Sequence, residues 1–146
     1  MTKHPVVAWG LPLALAVLMM AGCGDGRPKR VPVSGRVLID GQPLQAGYIR
    51  LIPEGARPSG SEIDSKGRFT LTCFDGEDGA VLGTHRVEVS AREQINALTT
   101  KIHAPKKYSS AETSGITVEI TEPTDDLTIE LTWDGGEPYE ETLDQE

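Results

Sequence analysis

From Val31 onward apolar side chains recur at every second position, and this period of two is the tightest constraint on what the chain can fold into. Successive side chains of a strand point to opposite faces of a sheet, so such alternation marks strands with one buried and one solvated face. Val31, Val33, Val37 and Ile39 point one way, with Gly35 between them. Asp40-Gly41 follows, and an Asp-Gly pair between apolar runs predicts a two-residue hairpin turn. Ile49 and Leu51 share the next inward face, which Pro53 closes, and Gly55 to Gly60 reads as loop. Asp64-Ser65-Lys66-Gly67 predicts a second turn leading into Phe69, Leu71 and Cys73. His85 joins Val87 and Val89 on an inward side, opposite Arg86, Glu88 and Ser90. The last two runs are Ile116, Val118, Ile120 and then Leu127, Ile129, Leu131, Trp133, with Asp125-Asp126 placed in the turn between them.

About seven short strands separated by turn residues, with no amphipathic helix, predict an all-β domain over 31–133. Two antiparallel sheets packed face to face satisfy the alternation, so the expectation is a seven-stranded antiparallel β-sandwich. Aromatic residues make up only 5% of the chain, which leaves the core to Val, Ile and Leu. Arg92 to Ser114 reads as a long irregular segment, and residues 134–146 read as an acidic, disordered tail without a core pattern.

Charge narrows the partners. The 146-residue chain has a net charge of −8, and no Lys or Arg follows Lys107, whereas 12 acidic residues do. An acidic C-terminal half repels phosphate backbones, so no nucleic-acid partner is expected.

The N-terminal stretch carries a different signal. Lys3 precedes an uncharged, largely apolar run from Pro5 to Met20, long for a signal-peptide core and short for a membrane span. Met20-Ala21-Gly22-Cys23 closes it and resembles the lipobox of bacterial lipoproteins, with Met20 in the place of the usual Leu. The resemblance implies that residues 1–22 are a lipoprotein signal peptide and that Cys23 carries lipid. It further implies an exported protein held to a membrane of the cell envelope. Several acyl chains hold firmly where one holds marginally. An ordinary signal peptide with an incidental cysteine, or an uncleaved span, are the alternatives. Residues 23–30 then form the lipidated cysteine and a tether in which Gly24, Gly26 and Pro28 block regular structure; Arg27, Lys29 and Arg30 are placed to meet anionic headgroups. Acylation of Cys23 would leave Cys73 without a disulfide partner, as a buried, apolar thiol.

The order of the strand motifs adds a second resemblance. Val33-x-Gly35-x-Val37 followed by Asp40-Gly41-x-Pro43-Leu44 resembles the opening of carboxypeptidase regulatory-like, or transthyretin-like, domains. Ile49-x-Leu51-x-Pro53, Asp64-x-x-Gly67-x-Phe69-x-Leu71 and Gly83-Thr84-His85-x-Val87-x-Val89 resemble the strands that follow, with His85 replacing an aromatic. Pro105-Lys106-Lys107-Tyr108 and Thr113-Ser114 look like a bacterial lipoprotein subgroup of this fold. The resemblance implies a prealbumin-like sandwich of immunoglobulin-like architecture, used as a stability or interaction module rather than as an enzyme.

No catalytic residue and no cofactor is predicted. The Tyr-Arg-Gly-Ser motif of hydroxyisourate-hydrolysing members is absent from the sequence, as is Gly-x-Ser-x-Gly. His85 and Arg86 are adjacent on a strand and so face opposite sides; His85 is expected as a satisfied core histidine and His103 as a surface-loop residue. No metal site is predicted from His and Cys spacing. Asp75-Gly76-Glu77-Asp78-Gly79 gathers three carboxylates, which makes Asp75, Glu77 and Asp78 weak calcium candidates against a solvated turn. Tyr48, Trp133 and Tyr139 are candidate glycan platforms, although Trp133 continues an inward series and reads as core; Tyr108 reads as a loop anchor. The leading expectation is a non-catalytic, membrane-anchored envelope module with a protein or glycan partner, and the alternative is a glycan- or calcium-binding module.

Overall fold

The computed structural model describes residues 26–143; the leader, the lipobox and Cys23 lie outside the described residues. In chain order the strands are β1 (Arg30–Val31), β2 (Val33–Ile39), β3 (Gln42–Pro43), β4 (Gly47–Pro53), β5 (Ser59–Ile63), β6 (Arg68–Thr70) and β7 (Ala80–Val81). They continue with β8 (Gly83–Ser90), β9 (Arg92–Gln94), β10 (Thr99–Ile102), β11 (Thr117–Ile120), β12 (Thr124–Leu131) and β13 (Tyr139–Thr142). A 3-10 turn at Lys106–Ser109 is the helical element among the described residues, and none of their helices is long and apolar enough to cross a membrane.

Two four-stranded sheets build the body. One is antiparallel throughout, in the order β11-β8-β4-β5. In the other, β2 is the centre, with β12 on one edge and β3 and β6 on the opposite edge. Val33, Val37, Phe69, Ile129 and Leu131 from this second sheet, with Leu71 just after β6, share one core cluster with Ile49, Leu51, Ile63, Val87, Val89 and Ile120 from the first. These are the inward positions of the alternation, and full burial of each Val, Leu or Ile contributes roughly 1.5–3 kcal/mol.

The turns form as their side chains dictate. Asp40 and Gly41 both take left-handed backbone angles (φ 47° and 78°), as a primed hairpin turn requires. The Asp64 carboxylate accepts the backbone N–H of Lys66 and Arg68, which hold its pKa below the ordinary carboxylate value.

Several sequence expectations need correction. First, the body is not wholly antiparallel: β12 runs parallel to β2, pairing Leu127 with Gly35 through Leu131 with Ile39. The runs at Ile116 and Leu127 are therefore not a hairpin. β11 belongs to one sheet and β12 to the other, residues 121–123 cross between them, and Asp125-Asp126 lie inside β12. Alternation reports which face is buried and is blind to strand direction. The cost of this arrangement falls on Gly35: a Cβ there would sit 1.9 Å from the Leu127 carbonyl oxygen, where the β12 register shifts.

Second, the segment from Arg92 to Ser114 is not irregular throughout. It contains the β9–β10 hairpin, whose turn is held by Leu98 and Thr99 N–H groups donating to the Asn96 side-chain oxygen. Third, the expected tail 134–146 is not structureless over its described part, 134–143, because Tyr139–Thr142 pairs antiparallel with β10. None of the four β13 residues is buried, so the strand leaves no apolar alternation to read. Trp133 is half-buried at the sheet rim, edge-on to the Tyr139 ring at 6.3 Å, and does not enter the core.

Strand directions give the body two ends. β2 and β12 both start beside the tether and run away from it, so the β9-β10-β13 sheet lies at the far end. The Asp40 carboxylate ties that far end together by accepting the Thr132 hydroxyl at 2.8 Å.

Candidate functional site

The tether is not a free spacer once it reaches residue 27. β1 pairs with β7, placing Arg30 opposite Val81 and Val31 opposite Ala80. Gly79 makes that crossing possible: a Cβ there would lie 1.8 Å from the Val31 carbonyl oxygen. The loop between Cys73 and Gly79 then grips the tether from the side. Arg27 pairs with Asp75, and the Arg30 Nε lies 2.8 Å from the Asp78 carboxylate. The guanidinium groups of Arg27, Arg30 and Arg57 gather over the Phe74 ring at 4.7, 4.9 and 5.0 Å from its centroid. A ring face attracts cations, and the two carboxylates offset the repulsion among the three arginines.

Asp78 is the centre of this clamp. Its carboxylate accepts the backbone N–H groups of Cys73 (2.7 Å), Phe74 (3.2 Å) and Asp75 (3.4 Å). Burial pushes its pKa up, but those N–H groups and Arg30 outweigh burial and hold it below the ordinary carboxylate value. The calcium candidates thus diverge: Asp78 turns inward to backbone donors, Asp75 turns to Arg27, and the Glu77 amide donates to the Thr72 hydroxyl. Among the described residues no three His, Cys, Asp or Glu side chains converge on a point that could hold a metal ion.

Cys73 is buried, and its thiol points to the Arg57 carbonyl at 3.5 Å. Burial, reinforced by the nearby Asp78 charge, raises its pKa, so the sulfur stays protonated at neutral pH. His85 is buried as expected but only half satisfied. Its Nε2 lies 2.8 Å from the Val81 carbonyl oxygen, which assigns the proton to Nε2, and Nδ1 has no hydrogen-bond partner. His103 is not a bare surface residue: its Nε2 lies 2.7 Å from Glu93. The structure brings neither histidine into a set with Cys73.

Two further surfaces carry chemistry. On the outer face of the antiparallel sheet the Tyr48 ring is exposed and lies across Gly60, with its hydroxyl 2.6 Å from where a Gly60 Cβ would stand. Arg50 and Glu88 pair beside it at 2.6 Å. At the far end, Lys106 and Arg92 both reach Glu141, and Lys107 pairs with Asp134. Hydrogen bonding to Glu141 raises the Lys106 pKa, and the same bond lowers that of Glu141. Tyr108 anchors the loop as expected, its hydroxyl accepting the Thr132 N–H at 3.1 Å.

The arginine clamp on Phe74 escapes sequence reading because its members lie in three separate segments. The one usable signal was the pairing of basic residues after Cys23 with the acidic Asp75–Gly79 loop. No family model, curated protein or solved structure matches this chain.

Proposed function

We propose that the chain is an exported, lipid-anchored and non-catalytic module of the cell envelope, acting through protein contacts or as a structural unit. The observation that carries this reading is the join between the lipobox and the domain. Cys23 stands four residues before Arg27, which is already locked to Asp75. Four residues reach at most about 14 Å. Lipid on Cys23 would therefore hold the domain close to the bilayer by one defined end, with the β9-β10-β13 sheet turned outward.

The fold belongs to the same proposal. The pairing of a β2, β3, β6 and β12 sheet with a β4, β5, β8 and β11 sheet supports a prealbumin-like sandwich of the carboxypeptidase regulatory-like kind. The protonated, buried thiol and the core position of His85 support a structural use for the residues most readily suspected of catalysis. Partitioning of the wild type and Cys23→Ser between detergent and water tests the anchor. The wild type is expected in detergent and the variant in water; equal partitioning of the two would sink the assignment.

Glycan binding is the second reading, and Tyr48 favours it. An exposed ring beside the Arg50–Glu88 pair suits stacking against a sugar ring. A glycan array probed with wild type and Tyr48→Ala separates the two readings: binding that Tyr48→Ala abolishes selects the glycan module.

A further inference from the structure

The far-end sheet contains one strand that does not behave like the others. β13 has no buried residue, yet it covers the edge of β10 along four residue pairs, Thr99–Thr142 to Ile102–Tyr139. Leu143 extends the pairing through its N–H to the Leu98 carbonyl at 2.9 Å. Beyond backbone bonds, β13 is held by Glu141, which meets Lys106 and Arg92 at the surface, and by the edge-on contact of the exposed Tyr139 ring with Trp133. Exposed ion pairs of this kind contribute little and weaken with salt. The link from β12 is a turn at Asp134 and Gly135, both left-handed (φ 54° and 87°), followed by Gly136 and Pro138. β10, in contrast, is fixed from below: Ile102 is 1% exposed, and β9 pairs along its other edge. Removing β13 would leave the β9–β10 hairpin in place with a bare row of N–H and C=O groups, beside two basic side chains.

We propose that β13 is a removable cover and that the β10 edge is a docking site for an extended acidic segment of a partner protein. The occupant's chemistry is read from the strand now seated there. It supplies backbone pairing to β10, an acidic side chain for Lys106 and Arg92, and two residues earlier an aromatic ring that meets Trp133 edge-on. Strand addition of this kind draws affinity from main-chain bonds and specificity from alternate side chains. A second copy of this chain is the poorer occupant, because two chains of net charge −8 repel. The proposal deepens the interaction-module reading without depending on lipid at Cys23, so failure of the anchor would leave the binding test unaffected.

The test titrates the full chain and its Glu141→Lys variant with a fluorescent peptide of the sequence 137–143, and with a control peptide whose three glutamates are lysine. In the wild type the tethered strand competes at roughly millimolar effective concentration, so the acidic peptide binds weakly. Glu141→Lys weakens the cover while leaving Lys106 and Arg92 to the peptide. Affinity for the acidic peptide should rise about ten-fold or more, fall again with added salt, and be missing for the lysine peptide. Amide hydrogen exchange should run faster at residues 139–142 than at residues 33–39 in the wild type. Equal affinity of both chains, equal protection of the two strands, or preference for the lysine peptide would overturn the proposal. So would loss of the folded signal in Glu141→Lys, since a removable cover carries no fold, and so would a variant dimer that excludes peptide, which assigns the edge to a second copy.

Discussion

The two ends of the sandwich hold an added segment in opposite ways. At the tether end, β1 is locked by Arg30, which pairs with the Asp78 carboxylate and lies over the Phe74 ring, and by a glycine whose missing Cβ admits the Val31 carbonyl. At the far end, β13 lies on β10 through backbone pairs and surface charges, with no buried side chain. Both segments are short strands added to the body, so pairing alone does not set how firmly a segment is held. What differs is that the Arg30–Asp78 pair is largely out of water, each side chain less than a fifth exposed, and each loses its partner when β1 leaves. Such groups cost their full desolvation when a partner is removed, whereas exposed pairs exchange protein contacts for water at little cost.

The sharpest way to break the contrast is at Gly79. Gly79→Ala places a methyl 1.8 Å from the Val31 oxygen at a backbone φ of 86°. It should destabilise the fold by about 3 kcal/mol and expose Lys29 and Arg30 to trypsin. Unchanged denaturation and unchanged cleavage would show that β1 is not clamped. Asp78→Ala comes next. It strands the N–H groups of Cys73, Phe74 and Asp75 along with Arg30, for an expected loss of about 2–3 kcal/mol in urea denaturation. Phe74→Leu keeps an apolar side chain but removes the ring face from three guanidiniums. A loss of about 1 kcal/mol is expected, with tryptic cleavage at the tether again the local readout.

The clamp also has a pH signature. Asp78 titrates lower in the folded chain than its ordinary value of 3.8. Its contribution is therefore complete above that value and disappears as pH falls through the lower folded value. Tryptic-site protection cannot be read at such pH, but exchange of the Cys73, Phe74 and Asp75 amides can. They should stay protected at neutral pH and lose protection only below about pH 4. Loss of protection already between pH 5 and 7 would contradict the lowered value.

Legibility in the sequence follows the same division. The inward faces were readable because burial imposes a period of two, and Val33, Val37, Ile49, Leu51, Val87, Val89, Ile129 and Leu131 lie in the core where alternation places them. Turns were readable because Asp40-Gly41 and Asp64 to Gly67 require particular residues. Strand direction left no trace, so the parallel β2–β12 pair and the bulge over Gly35 were missed. The arginine–Phe74 clamp joins residues 27, 30, 57 and 74, a constellation that the β1–β7 register and the Gly60–Thr72 bridge assemble from distant segments. β13 was read as tail because a strand held by its backbone needs no apolar pattern.

The smallest expected effect is the most informative about the far end. Glu141→Gln removes the charge that Lys106 and Arg92 share while keeping the side chain's length and a hydrogen-bonding oxygen. If β13 is a separable strand, global stability in urea should not move, because none of its residues is buried and the core below is untouched. Hydrogen exchange at residues 139–142 should accelerate several-fold, and the Lys106 pKa, raised by Glu141, should return toward 10.5. The same acceleration should appear in the wild type when salt is added, since screening removes what the substitution removes. A change in global stability as large as that of Asp78→Ala would instead make β13 an integral strand. The two ends would then be held alike, and the contrast between them would collapse.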